Sequence, residues 1–152
     1  MTDKKNVIQK VVLGGVVANN GKILIIQRNK DEDIYPNLWE LPSGKKEELE
    51  DVQDSLLREV KEEVGLDVEI VVPIDVFNYQ IEKPDVIKDS TQINYLVKPV
   101  GNNSQVVLSE EHQAFDWVNA NDLSKYNLSD PTKKTIIKAF DLLQKHKNFM
   151  SF

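Results

Sequence analysis

The chain has 152 residues, 40% hydrophobic and 29% charged, an ordinary balance for a globular protein with room for one core. Its formal net charge of −6 argues against general binding to a nucleic-acid backbone, which needs a basic surface. It has no cysteine, so disulfides, thiolate zinc sites and cysteine nucleophiles are excluded.

Residues 1–10 lack the apolar stretch of a signal peptide, and no apolar run nears the roughly 20 residues of a membrane span. The expectation is a single-domain cytoplasmic protein, spanning residues 1–152, with no membrane or nucleic-acid partner. Residues 7–18 are β-branched and apolar and read as a strand. Asn19-Asn20-Gly21 is a hairpin turn signal, and residues 22–28 form the returning strand. Gly14-Gly15 lies inside strand sequence with no phosphate-loop pattern after it, so a strand bulge or close packing is the expected role. Residues 29–37 are a polar loop. Trp39-Glu40-Leu41 reads as a short strand and Pro42-Ser43-Gly44 as a turn.

The next stretch is the most informative. Val52, Leu56, Val60 and Val64 recur every four residues, and Leu57 widens that stripe into the apolar face of an amphipathic helix. Gly65 ends it, so the helix is expected over residues 51–64. Glu59, Glu62 and Glu63 are related by three and four positions and project from one side. Carboxylates so crowded are relieved either by a cation or by solvation. Oxygen-only ligation suits a hard ion, Mg²⁺ or Mn²⁺, better than zinc. Arg58 is placed to clamp Glu50 or Glu59.

Beyond the helix, residues 66–78 read as one or two strands around Pro73. Residues 79–90 read as a strand end plus loop, and 91–100 as a further strand. A loop over residues 101–104 follows, then residues 105–108, and then a loop and strand over 109–118 carrying Trp117. Residues 119–123 read as a short helical turn. Asp130-Pro131 reads as N-cap and first residue of a closing helix, which runs from residue 132 to about Lys147. Ile136, Ile137, Phe140, Leu142 and Leu143 are its expected buried side. Helices alternating with strands fit an α/β/α sandwich, a mixed sheet flanked by helices.

The spacing from Gly44 to Leu66 carries a resemblance. Gly44, Glu50, Arg58, Glu59, Val60, Glu62, Glu63, Gly65 and Leu66 fill the pattern Gly-x5-Glu-x7-Arg-Glu-aliphatic-x-Glu-Glu-x-Gly-aliphatic. That pattern resembles the Nudix hydrolase signature. The Leu38-to-Pro42 approach and the small size are similar to the MutT-like branch. The resemblance implies the Nudix-type α/β/α sandwich and metal-dependent hydrolysis of a nucleoside diphosphate linked to another group. In the MutT-like branch that substrate is a (d)NTP or oxidised (d)NTP, cleaved to monophosphate and pyrophosphate. ADP-ribose or a nucleotide sugar is the alternative substrate. A non-catalytic nucleotide-binding module is the alternative of another class, and the intact carboxylate set argues against it. An acidic protein holding a pyrophosphate also needs local cations, which a metal site provides.

By resemblance, Glu59 and Glu63 are metal ligands, with Glu62 on a further or shared ion and the Ser43 carbonyl completing the loop. Many members have glycine where Ser43 stands, and a left-handed backbone there would cost serine more. Glu50, Arg58 and Gly44 position the ligands. Glu111, six residues before Trp117, is a ligand or base, and the base is Glu59 or Glu111. Glu110 and His112 flank it, and His112 is a candidate proton shuttle. Arg28, Lys45 or Lys46 are phosphate-contact candidates, Trp39 lies near the cleft, and Asn127 or Asp130 would read the base. His146 is expected at the surface. Many members dimerise, so the resemblance admits a homodimer.

Overall fold

The computed structural model describes residues 4–101 and 103–146. Strict alternation in the first hairpin builds both layers of the core at once. In β1 (Asn6–Asn19) and β2 (Lys22–Arg28), Leu13, Val17, Leu24 and Ile26 point to one side of the sheet. Val16, Ala18, Ile23 and Ile25 point to the other. All eight are fully buried. A strand apolar on both faces must be covered on both, and a helix packs on each side. The hairpin turns at Asn20 (φ 52°) and Gly21 (φ 76°), the two left-handed residues that a two-residue turn of this kind requires.

Seven strands form one mixed sheet: β3 (Trp39–Glu40), β2, β1, β6 (Val86–Pro99) and β5 (Val68–Glu82) in that order. In addition β4 (Ser43–Lys45) pairs with β1 and β7 (His112–Val118) with β2. The β1–β6 pair is parallel, and the others are antiparallel. Helix α1 (Val52–Val64) covers one face with Leu56, Val60 and Val64. Helix α2 (Asp130–Lys145) covers the other with Ile136 and Ala139, after a 3-10 helix at Ala120–Lys125. This is the expected sandwich.

Helix α1 keeps its expected limits. Asp51 caps it, accepting from the amides of Gln53 (3.0 Å) and Asp54 (3.2 Å), which contributes about 1 kcal/mol. Gly65 closes it at φ 72°. Gly15 lies beneath it, where a Cβ would come within 2.8 Å of Val60 Cγ2, so close packing is what this glycine provides.

Four local expectations are corrected. Residues 79–90 are not a loop, because β5 and β6 form one long hairpin with only residues 83–85 between them. Pro73, which suggested a break, is absorbed by register shifts on either side of it. Ser43-Gly44 is not a turn but strand β4, opposite Leu13 and Gly14. The N-cap of α2 is Ser129, whose hydroxyl accepts from the Thr132 amide, so Asp130 is already helical. Ile137 is 51% exposed, and Thr132 and Thr135 are buried in its stead. The helix end expected at Lys147, and Asn102 of the 101–104 loop, lie outside the described residues.

Candidate active site

The acidic side of α1 divides into an outer and an inner half. In the outer half Arg58 reaches back across the loop. Its Nε and Nη2 donate to the two Glu50 oxygens at 2.8 and 2.9 Å, a bidentate pair. Nη1 donates to Glu59 at 2.8 Å and to Glu62 at 3.3 Å, and Nη2 to the Lys45 carbonyl at 3.3 Å. Arg58 therefore clamps both Glu50 and Glu59. Its hydrogen bonds hold the Glu50 carboxyl down at about 2, and the same contacts raise the guanidinium above its usual range. Glu50 also accepts from the Glu47 amide at 3.1 Å, which ties down the loop before the helix.

Glu59 needs a glycine opposite. A Cβ at Gly44 would lie 1.9 Å from Glu59 Oε2, so only glycine lets the carboxylate approach β4. Neither Ser43 nor Gly44 has a positive φ. The serine thus carries no left-handed strain, because this segment is extended strand.

The inner half is organised around Glu63, which is buried at 7% exposure. Its Oε1 accepts from the Ser43 amide at 2.6 Å. Burial, and then Glu40, Glu59 and Glu111 nearby, push its carboxyl up to about 9, against the Ser43 hydrogen bond. Glu59 is also raised, chiefly by burial, with Arg58 opposing. His112 has a fully buried side chain between two carboxylates. Its Nε2 is 2.8 Å from Glu40 Oε2, and its Nδ1, 3.6 Å from Glu63 Oε2, has no hydrogen-bond partner. With Nε2–H donating to Glu40, Nδ1 presents a lone pair toward Glu63.

Ligand atoms of Glu63, Glu111 and His112 lie within 4.8 Å of one another. Two carboxylates and an orphaned imidazole nitrogen converge where burial already disfavours negative charge. A divalent cation satisfies all three, so the residues fit such an ion. The cluster differs from the expected oxygen-only set by including His112, whose other nitrogen Glu40 holds in place.

Beside this corner opens a cavity of about 390 Å³, within the usual size range of ligand sites. Glu40 and Ser43 stand in its wall and also contact His112 and Glu63, so cavity and acidic corner are continuous. Its walls are mainly apolar and aromatic, with Leu38, Leu41, Phe77 and Tyr79 prominent. The Phe77 and Tyr79 rings are 6.1 Å apart, and burial raises the Tyr79 phenol. Arg28 enters the same cavity, held by the Ile34 carbonyl at 3.0 Å and Glu40 at 3.5 Å.

The fold brings Glu50, Arg58, Glu59, Glu62, Glu63, Ser43, Gly44, Glu111 and Arg28 to this one region. Glu62 is at its exposed edge. Lys45, Trp39, Asn127 and Asp130 are not in the cavity wall, although Ser129, Pro131 and Thr132 are. Trp39 stacks edge-on against Tyr126 at 5.0 Å. Glu110 and His146 are exposed. Sequence reasoning treated Glu40 only as lead-in and missed Phe77, Tyr79 and Gln92. The alternation of Phe77, Tyr79 and Ile81 was the available signal, obscured by the prolines on either side.

A profile of the NUDIX domain matches residues 9–140. The chain is similar to a nucleoside triphosphatase, NudI, from Escherichia fergusonii, with 30% identity over 84% of this chain and 94% of that one. It is similar in structure to a MutT NUDIX hydrolase from Burkholderia pseudomallei, at TM-score 0.71 and 26% identity, covering 86% of this chain and 98% of the other. An ADP-ribose pyrophosphatase from Streptococcus suis superposes with TM-score 0.64 and 26% identity, covering 90% of this chain and 91% of the other.

Proposed function

Because the chain belongs to the Nudix hydrolase family, which cleaves nucleotide diphosphate moieties, we propose that its substrate is a nucleoside triphosphate. The reading is a (d)NTP or oxidised (d)NTP cleaved to monophosphate and pyrophosphate, with Mg²⁺ or Mn²⁺, in the cytoplasm. The observation that carries it is the continuity of the apolar cavity with the acidic corner through Glu40 and Ser43. A base fits between aromatic and aliphatic walls while its phosphates reach the carboxylates. The resemblance to a nucleoside triphosphatase along most of both chains supports the same substrate class.

In this reading Glu59, Glu62, Glu63, Glu111 and His112 hold divalent cations. Such ions neutralise phosphoryl charge and lower the pKa of bound water. The remaining work belongs to the protein. Arg58 and Glu50 fix the Glu59 side chain. Glu40 fixes the His112 ring and Arg28, and Arg28 supplies the cavity's guanidinium for a phosphate oxygen. Glu59 or Glu111 takes the proton of the attacking water. Glu111 is exposed and free of the guanidinium that occupies Glu59, which favours Glu111.

Incubation with Mg²⁺ and a nucleotide panel tests this. Pyrophosphate and monophosphate released from triphosphates support it. Monophosphate plus sugar phosphate from ADP-ribose, without triphosphate turnover, replaces it with the second reading, which the likeness to the Streptococcus suis enzyme favours. Binding of nucleotides with no turnover overturns both.

A further inference from the structure

Under the cavity floor lies a chain of buried polar side chains that hydrolysis does not use. It runs from β6 to β5 and ends on α2. Asn94 sits between Gly14 on β1 and Asp75 on β5, directly opposite both in the sheet register. Its Nδ2 donates to Asp75 Oδ1 at 3.0 Å and lies 3.4 Å from Thr135 Oγ1. The Thr135 hydroxyl itself lies 2.9 Å from Asp75 Oδ2. Gln92 Nε2 then donates to Asn94 Oδ1 at 2.8 Å. Asn94 and Thr135 are fully buried, and Gln92 is 7% exposed.

The direction of this chain follows from its end. A carboxylate only accepts hydrogen bonds. Asp75 therefore draws the amide nitrogen of Asn94 toward itself and turns Asn94 Oδ1 toward Gln92. That oxygen in turn draws the amide nitrogen of Gln92. Gln92 Oε1 is left over, without a hydrogen-bond partner among the described residues, on a side chain that lines the cavity. Gly14 makes the chain possible. A Cβ there would stand 2.1 Å from Asn94 Oδ1 and 2.9 Å from Gln92 Nε2.

We propose that Gln92 is a specificity-determining residue, with its Oε1 accepting a hydrogen bond from an N–H donor on the nucleobase. The donor is an exocyclic amino group or a ring N–H. Asp75, Asn94 and Thr135 act through Gln92 as positioning residues. They prevent its amide from turning over to present nitrogen, which would accept the opposite pattern of bases. The surrounding wall of Phe77, Tyr79 and Leu41 is apolar enough to make one unmatched polar atom costly. This inference rests on the base lying in the cavity.

Calorimetric binding of the nucleoside 5′-monophosphates of the five common bases reads the cavity without hydrolysis. The test therefore stands even if triphosphates are not the substrate. The monophosphate that binds tightest is then compared with an analogue lacking the donor. That analogue carries C–H in place of the amino group, or N-methyl in place of the ring N–H, and the two forms distinguish the donor. The wild type is expected to lose about tenfold in affinity on donor removal. Gln92→Leu should lose about the same for the natural nucleotide and nothing further for the analogue. Asp75→Asn can donate to Asn94 and release the orientation, so it should narrow the same discrimination with Gln92 intact. Undiminished donor discrimination in Gln92→Leu overturns the proposal. So does a panel in which no monophosphate binds more tightly than ribose 5-phosphate. The analogue comparison needs no variant, and its failure in the wild type is also decisive against it.

Discussion

The outer and inner halves of the acidic side of α1 use the same residue type and solve opposite electrostatic problems. In the outer half Glu50, Glu59 and Glu62 share the guanidinium of Arg58, which the chain itself supplies. Glu50 is consequently an unusually strong acid, held at about 2. In the inner half Glu63 is buried beside the orphaned His112 Nδ1, with the exposed Glu111 close by, and burial raises it to about 9. No cation of the protein reaches that cluster among the described residues. The protein's own guanidinium holds the outer carboxylates in place, while the inner cluster is left short of positive charge, as a divalent-ion site requires.

The sharpest way to break the comparison is Glu63→Gln. It keeps the shape and the Ser43 hydrogen bond while removing the charge. Turnover should fall by roughly 10³-fold, the scale on which groups aimed at developing charge act. Thermal stability measured with a chelator should not fall, because glutamine is neutral without taking up the proton that metal-free Glu63 must bind on folding. Wild-type-like hydrolysis would end the assignment of Glu63 to the ion site. Gly44→Ala comes next and attacks the outer half by geometry alone. Its Cβ would lie 1.9 Å from Glu59 Oε2, so the carboxylate must move. A displacement of about 1 Å is worth roughly 10²-fold in rate. Full activity with an unshifted Glu59 in a crystal structure of the variant would contradict that account.

These two halves also differ from the cavity in how much the sequence reveals. Everything on α1 was legible, since one helix fixes its own geometry and positions three and four apart must share a side. Gly65, Asp51 and the Arg58 clamp were readable for the same reason. Residues on separate strands become neighbours only through register, and register is not local. Gly14, Asp75, Gln92 and Asn94 are 61, 17 and 2 positions apart in order, yet the pairing of β1, β6 and β5 lines them up. Residues 79–90 hid a strand because Pro84 sits in its turn, and Pro73 falls at a bulge. His112 shows the intermediate case. It was visible beside Glu111, but its bond to Glu40 joins residues 72 positions apart and only the fold reveals it.

Arg58→Lys tests whether the outer half acts through geometry or through charge alone. Lysine keeps the positive charge and loses the fork that meets both Glu50 oxygens and Glu59 together. Activity should fall about tenfold, in the lower part of the range for groups that orient metal ligands. The effect should appear in kcat and in the divalent-ion concentration needed for half-activity, since Glu59 is then less well placed. An unchanged ion requirement would mean that charge suffices.

The smallest effect is on stability, and it separates the halves by sign. Glu50 has a folded pKa below the usual 4.5, so its contribution is complete above about 4.5 and is lost as pH falls toward about 2. Glu63 has a folded pKa above 4.5, so without metal the folded state holds a proton that the unfolded chain has released. The metal-free protein should therefore lose stability as pH rises from about 4.5 to 9. A divalent cation binds the deprotonated cluster and opposes that loss, so the rise in Tm on adding Mg²⁺ should grow across the same window. Each kcal/mol is worth about 3 °C in a chain of this size. In Glu63→Gln the metal-free slope should flatten and the Mg²⁺ increment should shrink. A Tm increment that stays constant with pH in the wild type would show that the inner half binds its ion without releasing a proton.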